Sequence, residues 1–255
     1  MSKTTDVISF DSRIILLGFS LCIFALGFTM KSWAASSLDR PVVVELFTSQ
    51  GCNSCPPAEK FLNKLAERDD VIALEFHVDY WDYIGWKDPF ASPEYTKRQR
   101  SYAGPLSMRY IYTPQMVING KRHEVGSREM SVEVAIDEEK NRPSEAMPVL
   151  HLNHGENDVN IRVQSNGVNA NALYDIILVS YDARHETKVT RGENRGRTLI
   201  SSNIVRDMRV VGRWTGEDME FNIPVHELSG DGGCAVLLQE RGGGPILAAA
   251  MLPLS

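Results

Sequence analysis

Residues 41–57, PVVVELFTSQGCNSCPP, carry the strongest structural signal in this sequence. The stretch opens with apolar, β-branched residues, which are typical of a short buried strand. Thr48–Gly51 then predicts a turn. The double proline Pro56–Pro57 stands where a helix can begin, because the N–H groups of a first helical turn have no partner in the helix. The pattern therefore predicts a strand, a turn and a helix, with Cys52 and Cys55 at the start of that helix.

The residues that follow continue this alternation of strands and helices. After the prolines, apolar side chains recur at helical spacing, which predicts an amphipathic helix. A strand–helix–strand order favours a parallel, right-handed unit, and an Asn-Gly pair is a strong hairpin signal. The further predicted elements are a strand at Val71–Val78, a polar helix at Pro93–Tyr102, a hairpin with strands Gln115–Ile118 and Lys121–Val125, and a closing helix at Glu129–Lys140.

The composition changes after a polar, proline-containing linker at Asn141–Pro148. About eight short strands in roughly 105 residues are typical of a sandwich. The sequence thus predicts an α/β domain with a central mixed sheet at 39–142 and an all-β, sandwich-like domain at 148–255. The predicted strands are Val149–Asn153, Asp158–Gln164, Ala172–Asp182, Glu186–Thr190, Ile204–Trp214, Met219–Ile223, Cys234–Glu240 and Ile246–Leu252.

The N-terminal segment, residues 1–34, has the pattern of a secretory signal peptide. Ile14–Phe28 is an apolar run that follows Lys3 and Arg13, and Ser32–Ala34 offers small residues for cleavage. A spanning helix needs about 20 apolar residues. We therefore predict a cleaved leader and export, to the periplasm, with an N-terminal membrane anchor as the alternative and no membrane span in the mature chain.

Charge and cysteine content narrow the classes of function. The chain has 27 basic and 33 acidic side chains, a formal net charge of -6. No nucleic-acid partner is predicted, because such binding requires a basic face. Zinc requires four ligands, and the sequence has no second CxxC and no histidine pair at zinc-finger spacing, so neither a metal nor another cofactor is expected. The sequence indicates no oligomeric state.

The CxxC pair at Cys52 and Cys55 favours thiol–disulfide chemistry. The reactive species is the thiolate, whereas a free cysteine has a pKa of about 8.5 and is mostly protonated at neutral pH. A helix N-terminus favours the negative charge, so Cys52 is the predicted attacking thiol and Cys55 the resolving one. A structural disulfide and half of a metal site are the alternatives. Cys234, on an apolar strand, is interpreted as a buried free thiol, with pairing to Cys52 as the alternative.

Two further features are candidate parts of this site. Glu45 interrupts an apolar strand, so a buried carboxylate there could carry a proton for the resolving thiol, the alternative being a solvent-facing glutamate. The aromatic segment, Asp79–Phe90, follows the second strand and is a candidate lid or rim over the cysteines, the alternative being a small local core. Its proposed substrate contacts are Tyr80, Trp81, Asp82 and Trp86.

The order of these motifs resembles the thioredoxin fold. A strand ending in Phe47-Thr48 precedes CxxC on a helix, and Thr113-Pro114 precedes a hairpin. The resemblance implies that Pro114 is a cis-proline beside the cysteines and that the Thr113 backbone pairs with a bound substrate. More closely, the chain is similar to a bacterial family of secreted thioredoxin-like proteins of unassigned function. The segments that carry this similarity are ELFTSQGCNSCPPAE, His77–Phe90, Arg98–Arg100, Thr113–Gln115, Gly192–Gly196 and Val236–Glu240.

These expectations lead to two hypotheses of function. The first is an envelope thiol–disulfide oxidoreductase that exchanges electrons with an exported protein or a small thiol. The second is a non-catalytic binding or assembly module that has a thioredoxin-like fold and uses the disulfide structurally.

Overall fold

The computed structural model describes residues 34–36, 40–142, 147–167 and 172–254, which belong to one compact unit. The predicted signal peptide, residues 1–34, lies outside this part of the chain except for Ala34. Within the described ranges, no helix has the length and hydropathy needed to cross a membrane.

The elements begin with a short strand and continue as an alternation of strands and helices, followed by strands. The first part contains β1 (Ala34–Ser36), β2 (Val42–Thr48), α1 (Pro56–Leu65), β3 (Val71–His77), α2 (Pro93–Ser101), β4 (Gln115–Ile118), β5 (Arg122–Val125) and α3 (Glu129–Lys140). The second part contains β6 (Val149–His154), β7 (Asp158–Gln164), β8 (Tyr174–Lys188), β9 (Thr198–Trp214), β10 (Met219–Pro224), β11 (Gly233–Glu240) and β12 (Ile246–Pro253). Short 3-10 helices lie at Asp82–Ile84 and Val225–Glu227.

One eight-stranded sheet runs through both halves of the chain, in the order β12-β11-β8-β9-β3-β2-β4-β5. β2 and β3 are parallel, as the strand–helix–strand pattern predicts, and β4 is antiparallel to β2. β9 joins β3 in parallel through the pair Glu75 and Ile204. The stretches predicted as separate domains at 39–142 and 148–255 thus share a sheet, because β9 supplies the free edge of β3 with a partner.

The two faces of β2 and β3 are buried in different cores. On one face Val44 and Leu46 pack against Phe61 and Leu62 of α1 and against α3. On the other face lies a core that combines strands from both ends of the sheet with Tyr95 and Tyr102 on and just after α2; it includes Val43, Phe47, Phe76, Val179, Leu237 and Ala249. The sheet therefore folds back around α2, and this second core fixes the C-terminal strands to the first half of the chain.

A smaller sheet, in the order β1-β6-β7-β10, packs on the C-terminal strands. Its inward residues, such as Leu150 and Ile161, share a core with Trp214, Cys234 and Val236. Sheet-on-sheet packing of this kind buries alternate residues of each strand, and the burial of alternate residues along β7 follows that rule.

β8 and β9 are longer than the sequence predicts. The expected strands Ala172–Asp182 and Glu186–Thr190 are one continuous strand, and β9 begins at Thr198 rather than at Ile204. The polar residues between the expected strands pair in register with β9, for example Arg184 with Ser202. This outer part of the hairpin carries alternating exposed and half-exposed residues, so it lacks the apolar signal on which strand prediction depends.

Candidate functional site

The Cys52–Cys55 disulfide closes the turn between β2 and α1. The Cys52 N–H donates to the Ser49 carbonyl at 3.0 Å, and the Cys55 N–H donates to the Cys52 carbonyl at 3.3 Å. α1 begins only at Pro56, with Cys55 as its N-cap, so Cys52 precedes the helix rather than starting it. The physical reason is that two successive prolines fit only in the first turn of a helix.

Few N–H groups of α1 are free to face the sulfur atoms. The two prolines have none, and the next two residues both donate to the Cys55 carbonyl, at 2.8 and 3.1 Å. The hydroxyl of Ser54 lies 3.4 Å from Sγ of Cys52. A thiolate at Cys52 would therefore be stabilised chiefly by this hydroxyl, because the N–H groups that give a helix its positive N-terminal end are absent or already paired here.

Both sulfur atoms are shielded from solvent, since Cys52 and Cys55 are each 0% exposed. The aromatic segment packs directly on the turn at Gly51. A Cβ added at Gly51 would lie 3.3 Å from Cβ of Trp81 and 3.4 Å from Cδ1 of Ile84. The aromatic segment thus covers the cysteine turn, and a side chain at Gly51 would push it away.

Polar contacts tie the same segment to Gln50, two residues before Cys52. Nε1 of Trp86 donates to Oε1 of Gln50 at 3.0 Å, and the Gln50 N–H donates to Oδ2 of Asp88 at 2.8 Å. Asp82 contacts Asp88 rather than the turn itself, since its Oδ1 accepts from the Asp88 N–H at 3.1 Å. Burial raises the pKa of Asp82. Trp86 and Asp88 therefore contact the turn, whereas Asp82 supports the segment.

Thr113 and Pro114 lie at the same edge of the sheet as the cysteine turn. The bond between them is cis, as the resemblance to thioredoxins implies. β4 starts at the next residue, Gln115, which is opposite Phe47 near the end of β2. Nε1 of Trp81 donates to Oγ1 of Thr113 at 2.7 Å, which connects the aromatic segment to this loop.

Tyr80 faces α2 instead of the cysteines. Its hydroxyl donates to Oε1 of Gln99 at 3.2 Å, and burial raises the pKa of Tyr80 to about 12. Its ring lies 6.3 Å from that of Trp81, measured between centroids. Tyr80 is therefore neutral at physiological pH and packs behind Trp81.

Glu45 lies on the α2 face of β2, with Val43 and Phe47, and not on the α1 face. Nε of Arg98 donates to Oε1 of Glu45 at 2.5 Å, and the hydroxyl of Tyr102 donates to Oε2. All three side chains are buried. These contacts do not support the predicted role of Glu45 as a proton carrier for Cys55, because its carboxylate is engaged by Arg98 and Tyr102. Glu45 instead anchors α2 to the sheet.

A different buried carboxylate, Glu59, lies on α1 one turn after Cys55. It is 2% exposed, and Oγ1 of Thr48 donates to its Oε1 at 2.7 Å. Burial, followed by the nearby charge of Glu75, raises the pKa of Glu59 to about 8. The sequence signal was available, because Glu59 is three residues before the buried Leu62 on the apolar face of α1.

His77 lies between Glu75, whose charge acts on Glu59, and Asp88, which accepts from Gln50 in the cysteine turn. Its Nδ1 lies 2.7 Å from Oδ2 of Asp88, and its Nε2 lies 3.1 Å from Oε1 of Glu75. Burial by itself lowers the pKa of His77, but the two carboxylates outweigh this effect and raise it well above the usual value. His77 in turn lowers the pKa of Asp88 against the effect of burial. This charged pair keeps Asp88 ionised where it accepts from Gln50.

The tip of the β8–β9 hairpin also contacts the turn, although no sequence pattern predicts this contact. Nδ2 of Asn194 donates to the carbonyls of Gln50 and Cys52, at 2.9 Å in each case. Asn194 is 1% exposed, and Nη1 of Arg197 donates to its Oδ1 at 2.9 Å. Because Asn194 and Cys52 are 142 positions apart, no local pattern could reveal the contact.

Cys234 lies apart from this site, in the core between the two sheets. It is a free, fully buried thiol, and burial raises its pKa to about 12. The interpretation of Cys234 as a small apolar filler is confirmed by this placement.

The fold and the site together define a protein with a covered CxxC disulfide where a strand of a mixed sheet meets a helix. Residues 43–239 match the family described as Protein of unknown function (DUF1223), and the chain belongs to that family.

Two solved structures are similar to this chain. A crystal structure of a protein from Agrobacterium tumefaciens is 32% identical, with a TM-score of 0.73, over 84% of this chain and 94% of that chain. HBP35 of Porphyromonas gingivalis has a TM-score of 0.58 at 11% identity, over 84% of this chain and 75% of that chain, and this likeness concerns the fold alone. No curated protein matches the chain.

Proposed function

We propose that this protein is an exported thiol–disulfide oxidoreductase on a thioredoxin-like fold. The observation that carries the proposal is the Cys52–Cys55 disulfide immediately before α1, with the Thr113–Pro114 loop at the same sheet edge. The order β3-β2-β4-β5 supports the thioredoxin-like assignment, since β2 and β3 are parallel, β4 and β5 are antiparallel to their neighbours, and α1 connects the parallel pair.

The proposed reaction is a two-step exchange at Cys52. A partner thiolate attacks Sγ of Cys52, the Cys52–Cys55 bond breaks, and Cys55 leaves as a thiolate that takes up a proton. A second partner thiolate then attacks the partner's own sulfur in the mixed disulfide and releases Cys52. Two electrons pass from the partner dithiol to the protein, and the reverse sequence reduces a partner disulfide.

Glu59 is the proposed source or acceptor of the Cys55 proton. It lies one helical turn after Cys55 and is buried on the α1 side of the sheet. A carboxylic acid with a pKa of about 8 exchanges its proton near neutral pH, where an acid–base group is most effective. This role replaces the one that the sequence suggested for Glu45.

The proposed partner is an exported protein or a small thiol in an oxidising compartment. Disulfides persist outside the cytosol, and residues 1–34 have the signal-peptide pattern described above. We therefore propose the periplasm as the site of action. Thr113, Trp81 and Trp86 surround the turn and are the candidate contacts of the partner.

One observation favours a second candidate function. Both sulfur atoms are fully buried, and a structural disulfide in a binding or assembly module would require no access for a partner. Under this alternative the bond fixes the turn between β2 and α1 without being exchanged.

A mixed-disulfide trap separates the two candidates. Cells that export Cys55→Ser or, as the matched control, Cys52→Ser would be quenched with acid and alkylated, and the protein isolated without reductant. If the protein is an oxidoreductase, Cys55→Ser should be isolated with disulfide-linked partners that a reductant releases. Cys52→Ser should be isolated without such partners. Capture by neither variant, or equal capture by both, would contradict the proposal.

A further inference from the structure

The hairpin tip, residues 189–197, is a built contact on the cysteine turn rather than a loop that happens to lie near it. Two hydrogen bonds close the base of the tip. The Val189 N–H donates to the Arg197 carbonyl at 3.0 Å, and the Gly196 N–H donates to the Val189 carbonyl at 2.8 Å. Gly192 touches the aromatic segment, since an added Cβ there would lie 3.1 Å from Cβ of Trp86. The tip therefore rests on the turn and on its aromatic cover together.

Asn194 is oriented so that only one arrangement of its amide satisfies the surroundings. Its Oδ1 accepts from Arg197, and both N–H bonds of Nδ2 point to main-chain carbonyls, those of Gln50 and Cys52. A flipped amide would turn its oxygen toward two carbonyl oxygens and its N–H groups toward a guanidinium. Arg197 thus fixes the side chain of Asn194 as a double donor to the turn.

The carbonyls that Asn194 binds belong to the residues that must move if Cys52 is to be exposed. The Gln50 N–H donates to Asp88 and its side-chain oxygen accepts from Trp86, while Asn194 supplies the donor to its carbonyl. The Cys52 carbonyl accepts from both Asn194 and the Cys55 N–H. A buried carbonyl that loses its donor is costly unless water can reach it. Release of Asn194 is therefore coupled to opening of the turn, which exposes these carbonyls to water.

We propose that Asn194 is a positioning residue that keeps the cysteine turn closed over its disulfide, and that the hairpin tip must lift before Cys52 can meet a partner. We call the two hydrogen bonds from Asn194 to the turn the clamp. The clamp rests on the geometry alone, whereas its consequence for catalysis rests on the proposed oxidoreductase function. The β8–β9 hairpin then has a role for its unusual length, because its outer part brings Asn194 to the turn.

The test measures how fast the oxidised protein loses the Cys52–Cys55 bond to a phosphine, tris(2-carboxyethyl)phosphine, at neutral pH. Samples are quenched with N-ethylmaleimide and the modified thiols counted by mass spectrometry. The variants are Asn194→Ala and Asn194→Asp, of which the second keeps the size of the side chain but removes the donor. Asn63→Ala is the matched control, because Nδ2 of Asn63 donates to the Ile200 carbonyl at 2.8 Å and joins α1 to β9 away from the turn.

A net hydrogen bond changes an opening equilibrium by about fivefold, so the loss of two predicts reduction about 25-fold faster in both Asn194 variants. Asn63→Ala should remain within about twofold of the native chain. Amide hydrogen exchange gives a local reading that general destabilisation would not, since it should accelerate in peptides covering residues 49–55 and stay unchanged in β11.

Native-like reduction rates in both Asn194 variants would overturn the proposal, as would equal acceleration by Asn63→Ala. Because the phosphine reduces the disulfide without a biological partner, this test does not depend on the proposed oxidoreductase function. If the mixed-disulfide trap fails while the Asn194 variants are still reduced faster, the clamp stands and guards a structural disulfide. If the trap succeeds while the reduction rates do not change, the oxidoreductase stands without the clamp.

Discussion

Replacing Glu59 by glutamine should make the protein more stable, and increasingly so as the pH rises from 5 to 7. Glu59 is buried beside Thr48, and its pKa is raised to about 8 by burial and by the charge of Glu75. Between its ordinary pKa and 8 the folded state holds a proton that the unfolded chain releases. The folded state therefore loses stability as the pH rises through this window.

The size of the effect follows from the distance between the two pKa values. One pKa unit corresponds to about 1.36 kcal/mol, so holding Glu59 protonated costs the fold about 1 kcal/mol at pH 5 and about 3 kcal/mol at pH 7. Glutamine has no such proton to hold and can still accept from Thr48. The advantage of Glu59→Gln over the native chain should thus grow by about 2 kcal/mol across this range.

Urea unfolding of the oxidised protein, followed by tryptophan fluorescence at pH 5, 6 and 7, measures this difference. The change with pH is the diagnostic quantity, because the cost of burying the new amide is the same at each pH. Glu67→Gln, at an exposed position just after α1, is the matched control and should show no trend. If the free energy of unfolding changed with pH equally in the native chain and in Glu59→Gln, Glu59 would not be protonated in the folded state. It would then be excluded as the proton carrier of Cys55.

Two further predictions concern buried residues outside the cysteine turn. Arg98→Met should lower the free energy of unfolding by about 3–5 kcal/mol, because it leaves the buried Glu45 carboxylate without its cation; a loss below about 1 kcal/mol in urea unfolding would contradict this account of Glu45. Cys234 should not react with a disulfide reagent such as DTNB in the native, oxidised protein, since it is buried and its pKa is raised to about 12. Labelling of Cys234 in the native protein at the rate of a free thiol would show that the two sheets separate.

The local elements of the first half were predictable from the sequence. β4 and α3 have the bounds that the sequence predicts, at Gln115–Ile118 and Glu129–Lys140. Asn119 has the positive φ that an Asn-Gly turn requires, which explains why this hairpin signal was dependable. Such features depend on spacing within a few residues and therefore survive without knowledge of the tertiary structure.

Parts of the site that depend on facing and on long-range contacts could not be predicted in the same way. Both faces of β2 are apolar, so the sequence does not reveal that Glu45 faces α2 while Thr48 faces α1 and Glu59. The contact of Asn194 with the turn depends on a ribbon whose outer residues are polar. Strand prediction follows apolar alternation, and the paired backbone of this ribbon leaves no such trace.

If Cys52 and Cys55 exchange their disulfide with a partner, their reduction potential must lie in the range of exchangeable disulfides. Equilibration of the protein with defined dithiol–disulfide buffers, with the reduced thiols counted after alkylation, gives the value. We expect a potential above about -300 mV, in the range where disulfides are exchanged rather than permanent. A potential well below about -300 mV would identify Cys52–Cys55 as a structural bond and rule out the proposed oxidoreductase.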